Sequence, residues 1–170
     1  MIHHAQTVAT AAEMDAALDR LAVRLTVLGQ DRDPVLLTLL PGGAYLAGAL
    51  LQRVVFPLQT AYILDVPEGM PSKTRKLLSV LPDVAGRLII LVDDGLTDRP
   101  SIDRLGSYLE EGGAAEGWRC SLVAQSVQSP ATAGFFSSHF SAVVGESHGL
   151  FGCGLDVQGY CRNLPSLHRG

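Results

Sequence analysis

No apolar run in the sequence reaches the roughly 20 residues that a membrane-spanning helix needs. The N-terminus lacks the charged-then-apolar pattern of a secretory signal. Charge is scarce as well: 18% of the 170 residues are charged, the formal net charge is −4, and no basic stripe is present. That argues against a nucleic-acid binder working through phosphate neutralisation. Cysteine occurs three times, at Cys120, Cys153 and Cys161, with no C-x-x-C pair. An odd, scattered set reads as reduced thiols in a cytoplasmic protein rather than a disulfide framework or zinc site. His3 and His4 lie at a terminus and are not read as a metal site. There is no internal repeat and no low-complexity segment. What is abundant is apolar residues, 47% of the chain. That is enough to bury the core of one domain over residues 1–170.

Taken in order, Thr10-Ala-Ala-Glu13 fits a capping box. Met14, Leu18, Leu21, Leu25 and Leu28 follow at helical spacing, which predicts a helix over 11–28. Val35 to Leu40 reads as a buried strand and Pro41-Gly42-Gly43 as a tight turn. Ala44 to Val54 then reads as a helix with small residues for close packing. The turn's amides suit an anion cradle, although a plain strand-to-helix turn explains the same residues. Pro57 to Ile63 is the next strand. Residues 64–86 read as a surface loop with a short helix near 72–81, its Lys73, Arg75 and Lys76 a solvated face.

The central stretch is Leu88-Ile-Ile-Leu-Val-Asp93-Asp94, bounded by Gly86 and Gly95. Its apolar run predicts a strand buried on both faces. A pair of carboxylates sits where the strand ends, the edge at which open α/β sheets bind ligands. Ser101 is placed to cap a helix running to Glu111, stopped by Gly112-Gly113. Strand, acidic pair, loop and helix suit a polyol held by carboxylates and a phosphate held on helix amides. Taken alone, the same pattern equally suits Mg²⁺ or a simple helix start. Arg119 to Ala124 reads as a strand, Gln125 to Gly134 as a loop, Phe135 to Phe140 as a turn of helix and Ala142 to Val144 as a short strand. Strands alternating with helices predict an α/β fold with a mainly parallel twisted sheet and flanking helices. The loops after Pro41, Asp94 and Gln125 then share one sheet edge.

The C-terminal part carries Gly152-Cys-Gly-Leu-Asp156 and then Tyr160-Cys-Arg-Asn-Leu-Pro165. Together with Leu39-Leu-Pro-Gly-Gly-Ala44 and Asp93-Asp94, these runs resemble the hypoxanthine-guanine members of the type I phosphoribosyltransferases. The resemblance spans about 10–164 and implies that family's fold, with a small C-terminal hood. It implies transfer of a phosphoribosyl group from 5-phosphoribosyl 1-pyrophosphate to a purine base, with Mg²⁺, in a cytoplasmic homo-oligomer. Carried onto this chain, Asp93 and Asp94 match the acids for ribose hydroxyls and metal. Asp156 matches an acid near the purine and the metal, and Arg162 an arginine that meets pyrophosphate. Leu150 matches a position lining the base pocket, with Phe151 nearby. Pro41, Gly42 and Gly43 match the pyrophosphate turn. The family turn has a cis peptide, and an X–Pro bond takes that form at only about 0.5–1 kcal/mol.

The departures fall on the chemistry. The loop reads Asp93-Asp94-Gly95-Leu96-Thr97-Asp98-Arg99-Pro100-Ser101. Thr97 takes the place of the family's proton-handling aspartate, and a threonine hydroxyl is no general base near neutral pH. Asp98, one residue on, is the candidate substitute. Arg99 replaces a glycine of the phosphate nest, Pro100 supplies no amide, and Ser101 keeps a hydroxyl. Ser126 stands where the family has a base-recognising lysine, and no lysine follows Lys76. Three readings follow. One is a purine-type phosphoribosyltransferase of low activity or shifted base preference. The second is a non-catalytic relative that binds a nucleotide, a phosphoribosyl ligand or a protein partner. The third, an RNA-binding regulator, is disfavoured by the charge.

Overall fold

The computed structural model describes residues 5–64, 81–95, 99–124 and 134–170, and of residues 99–101 the backbone alone. In chain order the elements are β1 (Gln6–Ala9), α1 (Ala11–Gly29), β2 (Val35–Leu40), α2 (Ala44–Leu51), β3 (Gln59–Leu64) and β4 (Leu88–Asp93). After these come α3 (Arg99–Glu111), β5 (Glu116–Ala124), β6 (Phe136–Val144), β7 (Leu150–Phe151) and β8 (Leu167–Arg169). Five strands form a wholly parallel sheet in the order β3-β2-β4-β5-β6. Strand order reverses direction about β2 and β4, so the carboxyl ends of those two neighbours flank the crevice where such sheets bind ligands. A second, antiparallel sheet, β1-β8-β7, joins the two ends of the chain.

The sheet is covered on both faces, which is why β4 is buried along its whole length. On one face Met14, Leu18, Leu21 and Leu25 of α1, with Leu46 and Leu50 of α2, pack against Leu36, Ile90, Val92, Cys120 and Leu122. On the other, Ile102 and Leu109 of α3 cover Leu37, Ile89 and Leu91. The capping box forms as the sequence predicts. Thr10 Oγ1 accepts from the Glu13 amide, and Glu13 Oε2 accepts from the Thr10 amide at 2.8 Å. The three cysteines are free. Among the described residues no helix is long and apolar enough to cross a membrane.

Several local expectations are corrected. β1 was not anticipated. Its four residues are mostly exposed, and its partner β8 lies at the far end of the chain, so no local pattern announces it. The helix expected to be capped by Ser101 begins at Arg99, placing Ser101 inside it and Pro100 in its first turn, where a missing amide does no harm. α2 stops at Leu51 rather than Val54, and β5 starts at Glu116 rather than Arg119. Residues 136–144 form one strand instead of a helical turn followed by a short strand. A register shift opposite Gly117 and Trp118 sends Phe136 to the α3 face and Phe140 to the α1 face, so the two rings do not share a side. The short helix expected near 72–81 and the loop from Gln125 lie outside the described residues, apart from residues 81 and 134.

Candidate active site

A cleft of about 200 Å³ opens at the carboxyl ends of β2 and β4, lined by Leu39, Leu40, Pro41, Gly42, Asp93, Asp94 and Arg162. Four of the chemistry-bearing positions singled out in the sequence meet here, along with Pro41 at the turn. The Leu40–Pro41 peptide is cis. Gly43 takes no part in the lining. Its amide donates to the Leu39 carbonyl at 2.8 Å, closing the turn that leads into α2.

The two strand-end acids differ sharply. Asp93 is 1% exposed. Its Oδ2 accepts from Arg119 Nε at 2.7 Å and its Oδ1 from the Gly95 amide at 2.5 Å. Burial pushes the Asp93 carboxyl above the usual carboxylate range, while the Arg119 guanidinium and the Gly95 amide oppose the shift. Gly95 is required at its position. Its φ is +92°, and a Cβ there would run into the Val123 carbonyl. Asp94 is half-buried and turned toward the β2 turn. A Cβ on Gly42 would lie 2.7 Å from Asp94 Cγ.

Arg119 was not anticipated. It stands on β5 diagonal to Asp93, since Leu91 pairs with Arg119 and Asp93 with Ser121. The available signal was a lone cation inside an otherwise apolar strand beside a strand ending in acids. The polar line continues outward. Ser121 Oγ lies 2.7 Å from His139 Nε2 and 3.1 Å from the Val123 carbonyl. A carbonyl can only accept, so both bonds form when the hydroxyl proton goes to Val123 and the His139 Nε2–H donates to Ser121. Burial first, and Arg119 second, bring His139 down to about 4, so it is neutral near pH 7.

The C-terminal segment supplies the far wall. Backbone bonds from Cys153 to the Leu164 carbonyl and from Gly154 to the Arg162 carbonyl fold residues 152–164 back on themselves. Arg162 Nη1 donates to the Gly154 carbonyl at 2.5 Å, and Nη2 pairs with Asp156 Oδ1. Asp156 Oδ2 accepts from the Gly159 amide at 2.6 Å. Arg162 is thereby braced at the cleft in one orientation. Leu150 and Phe151 are not among the residues lining this cleft. Leu150 is buried in the main core, and Phe151 is buried with its ring stacked on His168 at 5.4 Å. Thr97, Asp98, Gln125 and Ser126 lie outside the described residues, and only the backbone of Arg99 and Ser101 is described.

Among the described residues no three His, Cys, Asp or Glu side chains converge to hold a metal. Mg²⁺, however, is commonly held by one or two carboxylates with substrate phosphates completing its shell. Asp94 at the cleft fits that lighter role, whereas Asp156 is outside the cleft lining with one oxygen on Arg162 and the other on the Gly159 amide.

Neither the family models nor the curated proteins compared with the sequence give a match. Solved structures match over nearly the whole chain. One is a hypoxanthine-guanine-xanthine phosphoribosyltransferase, 21% identical with a TM-score of 0.77, covering 95% of this chain and 92% of that one. Another, a hypoxanthine-guanine phosphoribosyltransferase from Bacillus anthracis, is 15% identical with a TM-score of 0.78, covering 98% and 99%. A hypoxanthine phosphoribosyltransferase from Staphylococcus aureus is 16% identical with a TM-score of 0.75, covering 96% and 90%. The chain therefore has the type I phosphoribosyltransferase fold, in the form that the hypoxanthine-guanine enzymes take.

Proposed function

We propose that this protein is a purine-type phosphoribosyltransferase, moving the phosphoribosyl group of 5-phosphoribosyl 1-pyrophosphate onto a purine base. The observation that carries the reading is the cleft itself, where Asp94, the Pro41–Gly42 turn and a braced Arg162 meet at the switch point of the sheet. In the reaction the C1′–oxygen bond to pyrophosphate breaks and a C1′–nitrogen bond forms. Positive charge grows on the sugar and negative charge on the leaving group. Catalysis then rests on positioning and electrostatics. Asp94 would take the ribose hydroxyls, and the Arg162 guanidinium would meet the leaving diphosphate, to which a planar fork is suited. Mg²⁺, when bound, would neutralise diphosphate charge, with Asp94 as its contact in the cleft and Asp156 acting through the Arg162 that it braces. Asp98 would handle the purine proton in place of Thr97, and Arg99 and Ser101 would serve the 5′-phosphate. The resemblance also carries a homo-oligomeric, cytoplasmic protein, which sedimentation and localisation would test.

A second reading has its own support. Both oxygens of Asp93 are engaged inside the protein, and no lysine follows Lys76 to read a 6-oxo group. These favour a protein that holds a phosphoribosyl ligand without transferring it. Incubation with 5-phosphoribosyl 1-pyrophosphate, Mg²⁺ and hypoxanthine, guanine or xanthine separates the two. Nucleotide product that Asp94→Asn removes supports the transferase. Ligand-dependent thermal stabilisation with no product supports the binder.

A further inference from the structure

The acidic pair at the end of β4 is divided by its surroundings. Asp93 has one oxygen on Arg119 Nε at 2.7 Å and the other on the Gly95 amide at 2.5 Å, and it is 1% exposed. Asp94, the next residue, is half-buried and turns its carboxylate across Gly42 into the cleft. An anion bonded on both oxygens within the interior has little capacity left for a ligand's hydroxyls, and drawing it out would strand a buried guanidinium. Arg119 is itself 9% exposed and stands on β5, away from the cleft lining. We infer that Arg119 is a positioning residue: by clamping Asp93 inside the fold it fixes the strand end and the Gly95 turn, so that Asp94 alone of the pair receives the ribose hydroxyls.

The inference rests on the proposed phosphoribosyl ligand, and it assigns the two acids unlike tasks. The clamp acts on the backbone on both sides of Asp94. Arg119 holds the side chain that precedes it, and the same carboxylate holds the amide that follows it. The Asp94 carbonyl also accepts from the Val123 amide at 3.3 Å, tying the residue to β5 from its main chain. A lysine at 119 would keep the charge but present a point ammonium in place of the fixed Nε–H, so the strand end would lose its set direction.

Calorimetry reads the division. Two probes are used with Mg²⁺, pyrophosphate alone and 5-phosphoribosyl 1-pyrophosphate; the ratio of their dissociation constants reports the ribose 5-phosphate increment independently of overall stability, and the change in that ratio on substituting Asp94 reports the part owed to the hydroxyls. Wild type should show a ratio well above one. Asp94→Asn should collapse it by tenfold or more. Asp93→Asn, whose amide oxygen can still accept one bond, should reduce it no more than Arg119→Lys does and well short of Asp94→Asn, while lowering the unfolding midpoint. Arg119→Lys should reduce it severalfold with pyrophosphate affinity unchanged, a split that general loosening of the fold would not give. A ratio that Asp93→Asn collapses as fully as Asp94→Asn overturns the inference while leaving the ligand assignment standing. A wild-type ratio near one, or no binding of either probe, overturns the ligand assignment and this inference with it.

Discussion

The Asp94 carboxylate lies across Gly42, so close that a Cβ at 42 would stand 3.2 Å from Asp94 Cβ and 2.7 Å from its Cγ. The end of β4 and the turn after β2 are fitted to each other, and glycine at 42 is what permits the acid to face the cleft. Gly42→Ala should therefore swing Asp94 aside with the fold retained. The expected outcome is at least a tenfold loss of affinity for 5-phosphoribosyl 1-pyrophosphate, with far-ultraviolet circular dichroism unchanged. Full affinity in this variant would show that Asp94 does not need that orientation.

The buried pair of Asp93 and Arg119 predicts a stability effect of its own. Removing one member of a buried ion pair leaves the other uncompensated, which typically costs about 3–5 kcal/mol. Arg119→Met should fall in that range by urea denaturation, whereas the double variant Asp93→Asn with Arg119→Met should recover part of the loss. Equal losses in the single and double variants would mean that the two side chains are not energetically coupled.

Most of the fold is legible in the sequence because its signals are local. The apolar run before Asp93, the helical spacing after Thr10 and the glycine stop after Glu111 each depend on neighbours a few residues apart. What was not legible depends on distant partners. β1 has meaning only against β8, and the faces of Phe136 and Phe140 are set by a bulge against β5. The site divides in the same way. Pro41, Gly42, Asp93, Asp94 and Arg162, which the cleft brings together, stand out in their runs. Arg119 becomes meaningful only once β4 and β5 are in register, and that register also shows that Asp93 faces inward.

His139 gives a pH prediction. It is neutral in the folded protein and held down to about 4 by burial, while an unfolded histidine titrates near its ordinary value of 6.5. Below pH 6.5 the unfolded chain takes up a proton that the folded chain does not, so stability falls with pH until about pH 4. Partial exposure of the ring softens the effect. Stability curves at pH 7.5 and 5.0 should differ more for wild type than for His139→Gln, and an identical pH dependence in the two would contradict the assignment.

Arg162 is braced by the Gly154 carbonyl and Asp156 together. A lysine ammonium lacks the planar fork that meets two partners and a diphosphate at once. Arg162→Lys should weaken pyrophosphate binding by roughly tenfold, about 1.4 kcal/mol, with little change in thermal midpoint. Unchanged pyrophosphate affinity would remove Arg162 from the site.

The most direct measurement is product formation from 5-phosphoribosyl 1-pyrophosphate, Mg²⁺ and each of hypoxanthine, guanine and xanthine, followed by chromatography for wild type and Asp94→Asn in parallel. The account predicts a purine nucleotide and released pyrophosphate from wild type and neither from Asp94→Asn. Absence of nucleotide from wild type with all three bases, or equal turnover by Asp94→Asn, would contradict it.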